Sequence, residues 1–279
     1  MPDTIRLSLA APDDVREPLV AALADLGFDA FEDTPDDLVA YAPAPRWDGP
    51  TTEAVHGLAD AYGLAAGAVV VETIADQDWN ATWEASLEPV TAGPFVVAPT
   101  WTDVPDSDAV VLRIDPKMAF GTGYHETTRI CLRLLADAVT PDDTVLDVGT
   151  GTGVLAIAAL RLGAASAVGV DVDPWSVTNG RENADRNGVG DRFEVREGSV
   201  EVVTEAGFDL VVCNVIRSIM EPMRADLLRL SAGGTLVLSG LLATERDRVV
   251  AQLSEAGRKL RDEAAENEWW GGVFEESAA

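Results

Sequence analysis

The chain has 279 residues, 47% of them apolar, which is enough to build a sizeable core in two modest domains or one large one. Its 48 acidic residues against 20 lysines and arginines leave a formal net charge of −28. No basic stripe exists to neutralise phosphates, so direct nucleic-acid binding is disfavoured, and no run approaches the roughly 20 apolar residues of a membrane span.

The first 75 residues read as strand (5–9), helix (13–26), strand (28–32), strand (38–42), helix (52–62) and strand (69–73). The first helix opens at Pro12 and Asp13, carries an apolar face through Val15, Leu19, Ala22, Leu23 and Leu26, and stops at Gly27. The order β-α-β-β-α-β predicts a small ferredoxin-like domain. It contains no catalytic constellation and is expected to recognise a substrate or serve as scaffold. Residues 76–116 read as a structured connector carrying Trp79, Trp83 and Trp101, with a turn at residues 92–93. Such tryptophans ordinarily pack a domain junction.

From residue 117 onward strands and helices alternate. Strands are expected at 144–148, 167–172, 192–196, 208–214 and 234–239, with two more at 258–266 and 269–274. This is the pattern of an α/β domain with a mostly parallel sheet covered on both faces by helices. Ligands in such sheets sit at the carboxyl ends of the strands.

The motifs fall there. "TVLDVGTGTGVLAIAALRLG" is an apolar strand, a glycine turn and an amphipathic helix. Gly149, Gly151 and Gly153 leave the backbone at the strand end free of side chains, as a nucleotide site needs. A dinucleotide fingerprint would place its third glycine where Val154 stands, and no Gly-Lys-Ser/Thr follows for a Walker loop. The turn also begins with Asp147, a carboxylate better suited to a cationic ligand than to a diphosphate. The next strand ends at Asp171, at the spacing from which an acid reaches ribose hydroxyls. Asp173 and Pro174 then read as the cap and first turn of a helix.

These residues resemble class I methyltransferases that use S-adenosylmethionine, so a Rossmann-like domain over residues 117–279 is expected. The strand "FDLVVCNVIRSI" ends at Asn214, where many amino-group methyltransferases place a polar residue facing the transferred methyl. Its amide carbonyl can accept an N–H of an incoming amine. A second glycine loop, "MAFGTGYHETT" at 118–128, precedes the first strand of the sheet and can fold over the cofactor from the other side. Thr127 and Thr128 stand at the start of a helix through residue 138, where their hydroxyls can cap it or hold the cofactor's methionine end. Two glycine loops would then make one clamp.

"DPKMAFGTGYHETT", "GVDVDP", "ENADRNGV", "SGLL" and "DWNATWEASLEPV" narrow the resemblance to the ribosomal protein L-eleven methyltransferases, the PrmA family. The likeness implies an enzyme that methylates lysine side chains or the N-terminal amine of that large-subunit protein. It also implies an N-terminal domain that grips the substrate. Carried over position by position, Thr128, Gly149, Asp171 and Asn214 match cofactor contacts, and Phe120 matches the aromatic of the lid. With Asp147 and Gly151 from the turn, these make the expected cofactor site, and Asn214 is the expected catalytic residue. The chain departs from the family at Tyr124-His125-Glu126, where Thr-His-Pro is usual, and in Val215-Ile216-Arg217-Ser218 after the asparagine.

His125 is a candidate proton acceptor. Alternatives are a related enzyme acting on another amine, a dehydrogenase, and a protein that binds S-adenosylmethionine without turnover to assist assembly. Cys131 and Cys213 read as two buried thiols, and no metal-ligand cluster is expected. The opening "MPDTIRLSLAAPDDVREP" is unlike a signal peptide, which points to a cytoplasmic and, by expectation, monomeric protein. The charge is read as adaptation to a salt-rich cytoplasm, with an acidic docking face as the alternative.

Overall fold

A computed structural model of the chain describes residues 3–65, 67–74, 87–106, 108–117 and 119–277, so Trp79 and Trp83 lie outside the described residues. Two compact units result, Met1–Thr82 and Trp83–Ala279.

The first unit runs β1 (Thr4–Leu9), α1 (Asp13–Asp25), β2 (Ala30–Asp33), β3 (Leu38–Pro43), α2 (Gly49–Ala61) and β4 (Val69–Ile74). Its sheet has the order β2-β3-β1-β4 with every pairing antiparallel, a ferredoxin-like arrangement. Leu7 and Leu9 of β1 bury their alternate side chains against Leu19 and Leu23 of α1 and Val55 of α2. α1 also buries Arg16, whose guanidinium donates to the carbonyls of Ala11 (2.8 Å) and Thr34 (2.7 Å) and pairs with Asp33. α2 starts three residues earlier than its apolar periodicity suggests. Asp48 caps it by accepting the Thr51 N–H at 2.8 Å, and Pro50 fits its first turn.

The second unit opens with β5 (Val90–Ala92), β6 (Phe95–Ala98) and β7 (Val110–Arg113) in a small sheet of order β5-β6-β7. Phe95, Val97, Leu112 and Ile114 share a core with Ile130 and Leu134 of α3 (Glu126–Ala138). Residues 87–106 and 108–116 are therefore built into this unit.

Its main sheet contains β8 (Thr144–Val148), β9 (Ser166–Asp171), β10 (Phe193–Glu197), β11 (Leu210–Asn214), β12 (Thr235–Leu242), β13 (Arg258–Glu266) and β14 (Trp269–Glu276). The order is β10-β9-β8-β11-β12-β14-β13. The first five run parallel, and β14 runs antiparallel to both its neighbours. α4 (Val154–Leu162), α5 (Pro174–Arg186), α6 (Arg217–Leu230) and α7 (Arg246–Glu255) complete the layers. Central strands bury both faces: in β8, Val145 enters one core, and Leu146 and Val148 enter the other. The chain steps outward from β8 to β10 and returns to β11 on the far side. That reversal leaves a crevice at the carboxyl ends of β8 and β11. Cys131 and Cys213 are both free and fully buried, as expected.

Candidate functional site

A cavity of about 540 Å³ occupies this crevice. Gly149 and Gly151 after β8, Asp171 at the end of β9 and Asn214 at the end of β11 form its floor. Ile216, Ile219 and Met223 wall one side, and Phe120 lies over it from the other glycine loop. Ile216, Ile219 and Phe120 are each about half exposed (51%, 53% and 54%), an open apolar rim that a ligand would cover.

Two carboxylates shape the turn. Asp147, with no solvent exposure, accepts the Thr150 hydroxyl at 2.7 Å and the Ala156 N–H at 3.2 Å through Oδ2, tying the loop to the first turn of α4. Burial pushes its carboxyl up to about 7; the Asp171 charge adds to the rise, and the two hydrogen bonds oppose it. Asp171 accepts the Gly151 N–H at 2.9 Å and the Asp173 N–H at 3.0 Å, one on each oxygen. Each oxygen keeps a further lone pair for a ligand hydroxyl. Asp173 caps α5 on the Trp175 N–H at 3.0 Å, in keeping with its expected role.

The two glycine loops touch directly. Thr152 N–H donates to the Phe120 carbonyl at 2.8 Å, and the Thr152 hydroxyl donates to the Gly121 carbonyl at 2.8 Å. A Cβ at Gly151 would stand 2.3 Å from the Phe120 oxygen, and one at Gly121 would stand 2.7 Å from Thr152 Oγ1. Both glycines have left-handed backbones, φ 53° and 105°. Only glycine satisfies space and dihedral together at these two positions.

α3 begins at Glu126, and its cap is His125, whose Nδ1 accepts the Thr127 N–H at 3.3 Å and lies 2.9 Å from the Thr127 hydroxyl. The threonines expected to cap this helix therefore sit inside it. The imidazole of His125, two residues before Thr127, caps the helix instead. The His125 ring is also packed between Phe120 and Trp269, with centroids 5.2 and 5.0 Å away.

Of the residues expected at the site, Phe120, Gly149, Gly151, Asp171 and Asn214 line the cavity. Asp147 and Thr128 are buried and are not part of that lining. Three buried side-chain atoms in this region make no hydrogen bond to the protein: Thr128 Oγ1, Asp147 Oδ1 and Asn214 Oδ1. Asp147 pairs with Val212 across the β8–β11 ladder, so Asn214, two residues further on, projects from the same face of the sheet. That face packs against α3, which bears Thr128. Thr152, Ile216, Ile219 and Met223 escaped the sequence reading. The signal for the two isoleucines is the run "NVIRSIM", in which exposed isoleucines follow a buried strand, and Met223 lies beyond it.

A family model described as Ribosomal protein L11 methyltransferase (PrmA) matches residues 38–276. The chain belongs to this family. Among members of the PrmA family, the "Ribosomal protein L11 methyltransferase" of Cupriavidus necator is 45% identical over 183 residues, 65% of this chain and 60% of that protein. The protein of the same description from Pelobacter propionicus is 38% identical over 226 residues, 77% of this chain and 72% of its own length. The chain thus spans about 60% of the length of the Cupriavidus relative. The crystal structure of ribosomal protein L11 methylase from Lactobacillus delbrueckii subsp. bulgaricus superposes with a TM-score of 0.61 at 27% identity, covering 69% of this chain and all of that one. The PrmA match contains every residue of the cavity floor.

Proposed function

We propose that this chain transfers methyl groups from S-adenosylmethionine to amino groups of ribosomal protein L11, on lysine side chains, the N-terminal amine or both. The observation that carries this reading is the set of three unpartnered buried atoms, on Thr128, Asp147 and Asn214, beside a cavity with an apolar rim. Native proteins rarely leave such atoms unmet, so they point to a ligand with donors and acceptors of its own.

The residues suit that cofactor. Asp171 would hold the ribose hydroxyls, the Thr128 hydroxyl would meet the amino-acid end, and Asp147 would supply negative charge close to a cation. When bound, the cofactor supplies a methyl activated by a sulfonium. The chain's own task is then alignment and exclusion of water. Asn214 would accept an N–H of the acceptor amine through its free carbonyl oxygen and so direct the nitrogen lone pair. Phe120, Ile216 and Ile219 would desolvate an incoming lysine, lowering its pKa and favouring the neutral amine. His125 Nδ1 is engaged at the α3 cap, so a proton taken from the amine would go to the other ring nitrogen.

Residues 1–75 would grip the ribosomal protein, with the chain acting as a cytoplasmic monomer in high salt. Incubation of ribosomal protein L11 with the enzyme and S-adenosylmethionine in concentrated potassium chloride, followed by mass spectrometry, tests the reading. Mass gains in steps of one methyl are expected. An unmodified acceptor from an enzyme that binds the cofactor would remove the assigned substrate.

A further inference from the structure

The stretch "ENADRNGV", residues 182–189, closes α5. It contributes Asn183 and Asn187, which with Asn179 before it stand at four-residue spacing on one face of α5 and its end. All three side-chain amides engage backbone at the end of β7 and just beyond. Asn187 accepts the Arg113 N–H at 2.9 Å and donates to the Arg113 carbonyl at 2.8 Å, in the manner of a neighbouring strand. Asn179 donates to the Asp115 carbonyl at 2.9 Å, and Asn183 accepts the Asp115 N–H at 3.0 Å. Asn183, with no solvent exposure, also donates to the Thr152 carbonyl at 3.0 Å.

That last bond joins the two glycine loops from below. Asp115 is the residue from which the first loop departs, and Thr152 is in the second. Thr152 is itself bonded through its N–H and hydroxyl to Phe120 and Gly121 at the crest of the first loop. Asn183 thus fixes the root of the first loop, Thr152 fixes its crest, and one hydrogen bond connects the two anchors. The bonds of Asn179 and Asn183 to Asp115, of Asn183 to Thr152 and of Thr152 to Gly121 are buried, where an unmade bond is costly, so the arrangement is held as a unit.

We propose that Thr152 and Asn183 are positioning residues that lock the lid loop onto the cofactor turn and so hold Phe120 over the cavity. The inference rests on the cofactor reading above for its effect on binding, while the lock itself exists in the protein without ligand. Thr152→Val removes the hydroxyl and keeps the shape; Thr152→Ser keeps the hydroxyl. Hydrogen-exchange mass spectrometry of the cofactor-free protein reads the loop at 119–125, and calorimetric titration reads S-adenosylmethionine affinity.

For Thr152→Val we expect loop exchange to rise about tenfold, the worth of one ordinary hydrogen bond, with β8 and β11 unchanged. The cofactor Kd should weaken by a similar factor, kcat should fall less than kcat/KM, and Thr152→Ser should restore both readouts. Unchanged loop exchange in Thr152→Val would overturn the lock. Faster exchange with an unaltered Kd would overturn its role in binding. A wild-type protein that binds no S-adenosylmethionine would sink the cofactor assignment instead, and loop exchange would still decide whether the lock exists.

Discussion

Asp147 carries a carboxylate into a site with no solvent exposure. Cys131 of α3 and Cys213 of β11 lie near it, and Asp171 adds like charge from β9. Burial pushes the Cys213 thiol up to about 12 and raises that of Cys131 as well, so neither titrates near neutrality. Asp147 does, because its folded-state value of about 7 stands above the ordinary 3.8. A carboxyl raised on folding binds its proton more tightly in the native state, so its contribution to stability falls as pH rises from about 4 to 7 and is flat beyond. Urea unfolding of the cofactor-free protein should therefore show Asp147→Asn gaining on the wild type across that window, with a constant advantage above it. A difference independent of pH would refute the assignment. Other carboxylates, such as Glu205, held down to about 2 by Arg196, act at lower pH and cancel in this comparison. Asn214 makes a different demand. Its carbonyl oxygen faces no protein donor, so Asn214→Ala should reduce kcat by about a hundredfold, in line with the loss of an aligning contact, while the cofactor Kd moves less than about threefold. Equal losses in titration and initial rates would place Asn214 in cofactor binding alone.

At the scale of elements, the parts with strong periodicity were legible and the parts built from short contacts were not. β8, its glycine turn and α4 stood out because an apolar run, three alternating glycines and an amphipathic helix all indicate the same local structure. The ends of β9 and β11 could be placed within a residue, and with them the cavity floor at Asp171 and Asn214. β5, β6 and β7 are three or four residues each and lie among prolines, so their stretch looked like a connector until its apolar residues were seen in the core. The start of α2 was hidden because a cap and a proline, rather than periodicity, determine it. The cap of α3 was hidden because histidine is an uncommon residue for that role. Least legible were the bonds from Thr152 to Gly121 and from Asn183 to Thr152, each spanning 31 positions. Sequence shows that both residues exist, and only tertiary structure brings them together. Asp147 was expected beside the ligand for its charge, and strand alternation turns it toward α3, outside the lining.

For the whole molecule, charge is the dominant long-range term. Arginines are drawn into local pairs, as where Arg196 meets Glu194 at 2.8 Å and Glu205 at 2.7 Å, but 48 acids against 20 cations leave 28 negative charges unmatched. Exposed pairs of this kind contribute little, whereas self-repulsion falls as the Debye length shortens from about 8 Å at physiological ionic strength to about 3 Å at 1 M. The melting temperature should therefore climb by several degrees between 0.1 and 2 M potassium chloride, with activity following it. A falling kcat/KM at constant melting temperature would instead identify the acidic surface as a docking face for a basic acceptor. The position of β14 bears on how such a molecule is made. β14 is the last strand in the described sequence, yet it lies between β12 and β13, and it supplies Val273 to one core layer and Trp270 and Phe274 to the other. During synthesis β13 emerges with no strand to pair with, and both layers stay open along β12 until residues 269–276 have cleared the ribosome. Closure of this unit thus waits on residues 269–276, and until they emerge the nascent chain holds an apolar edge exposed.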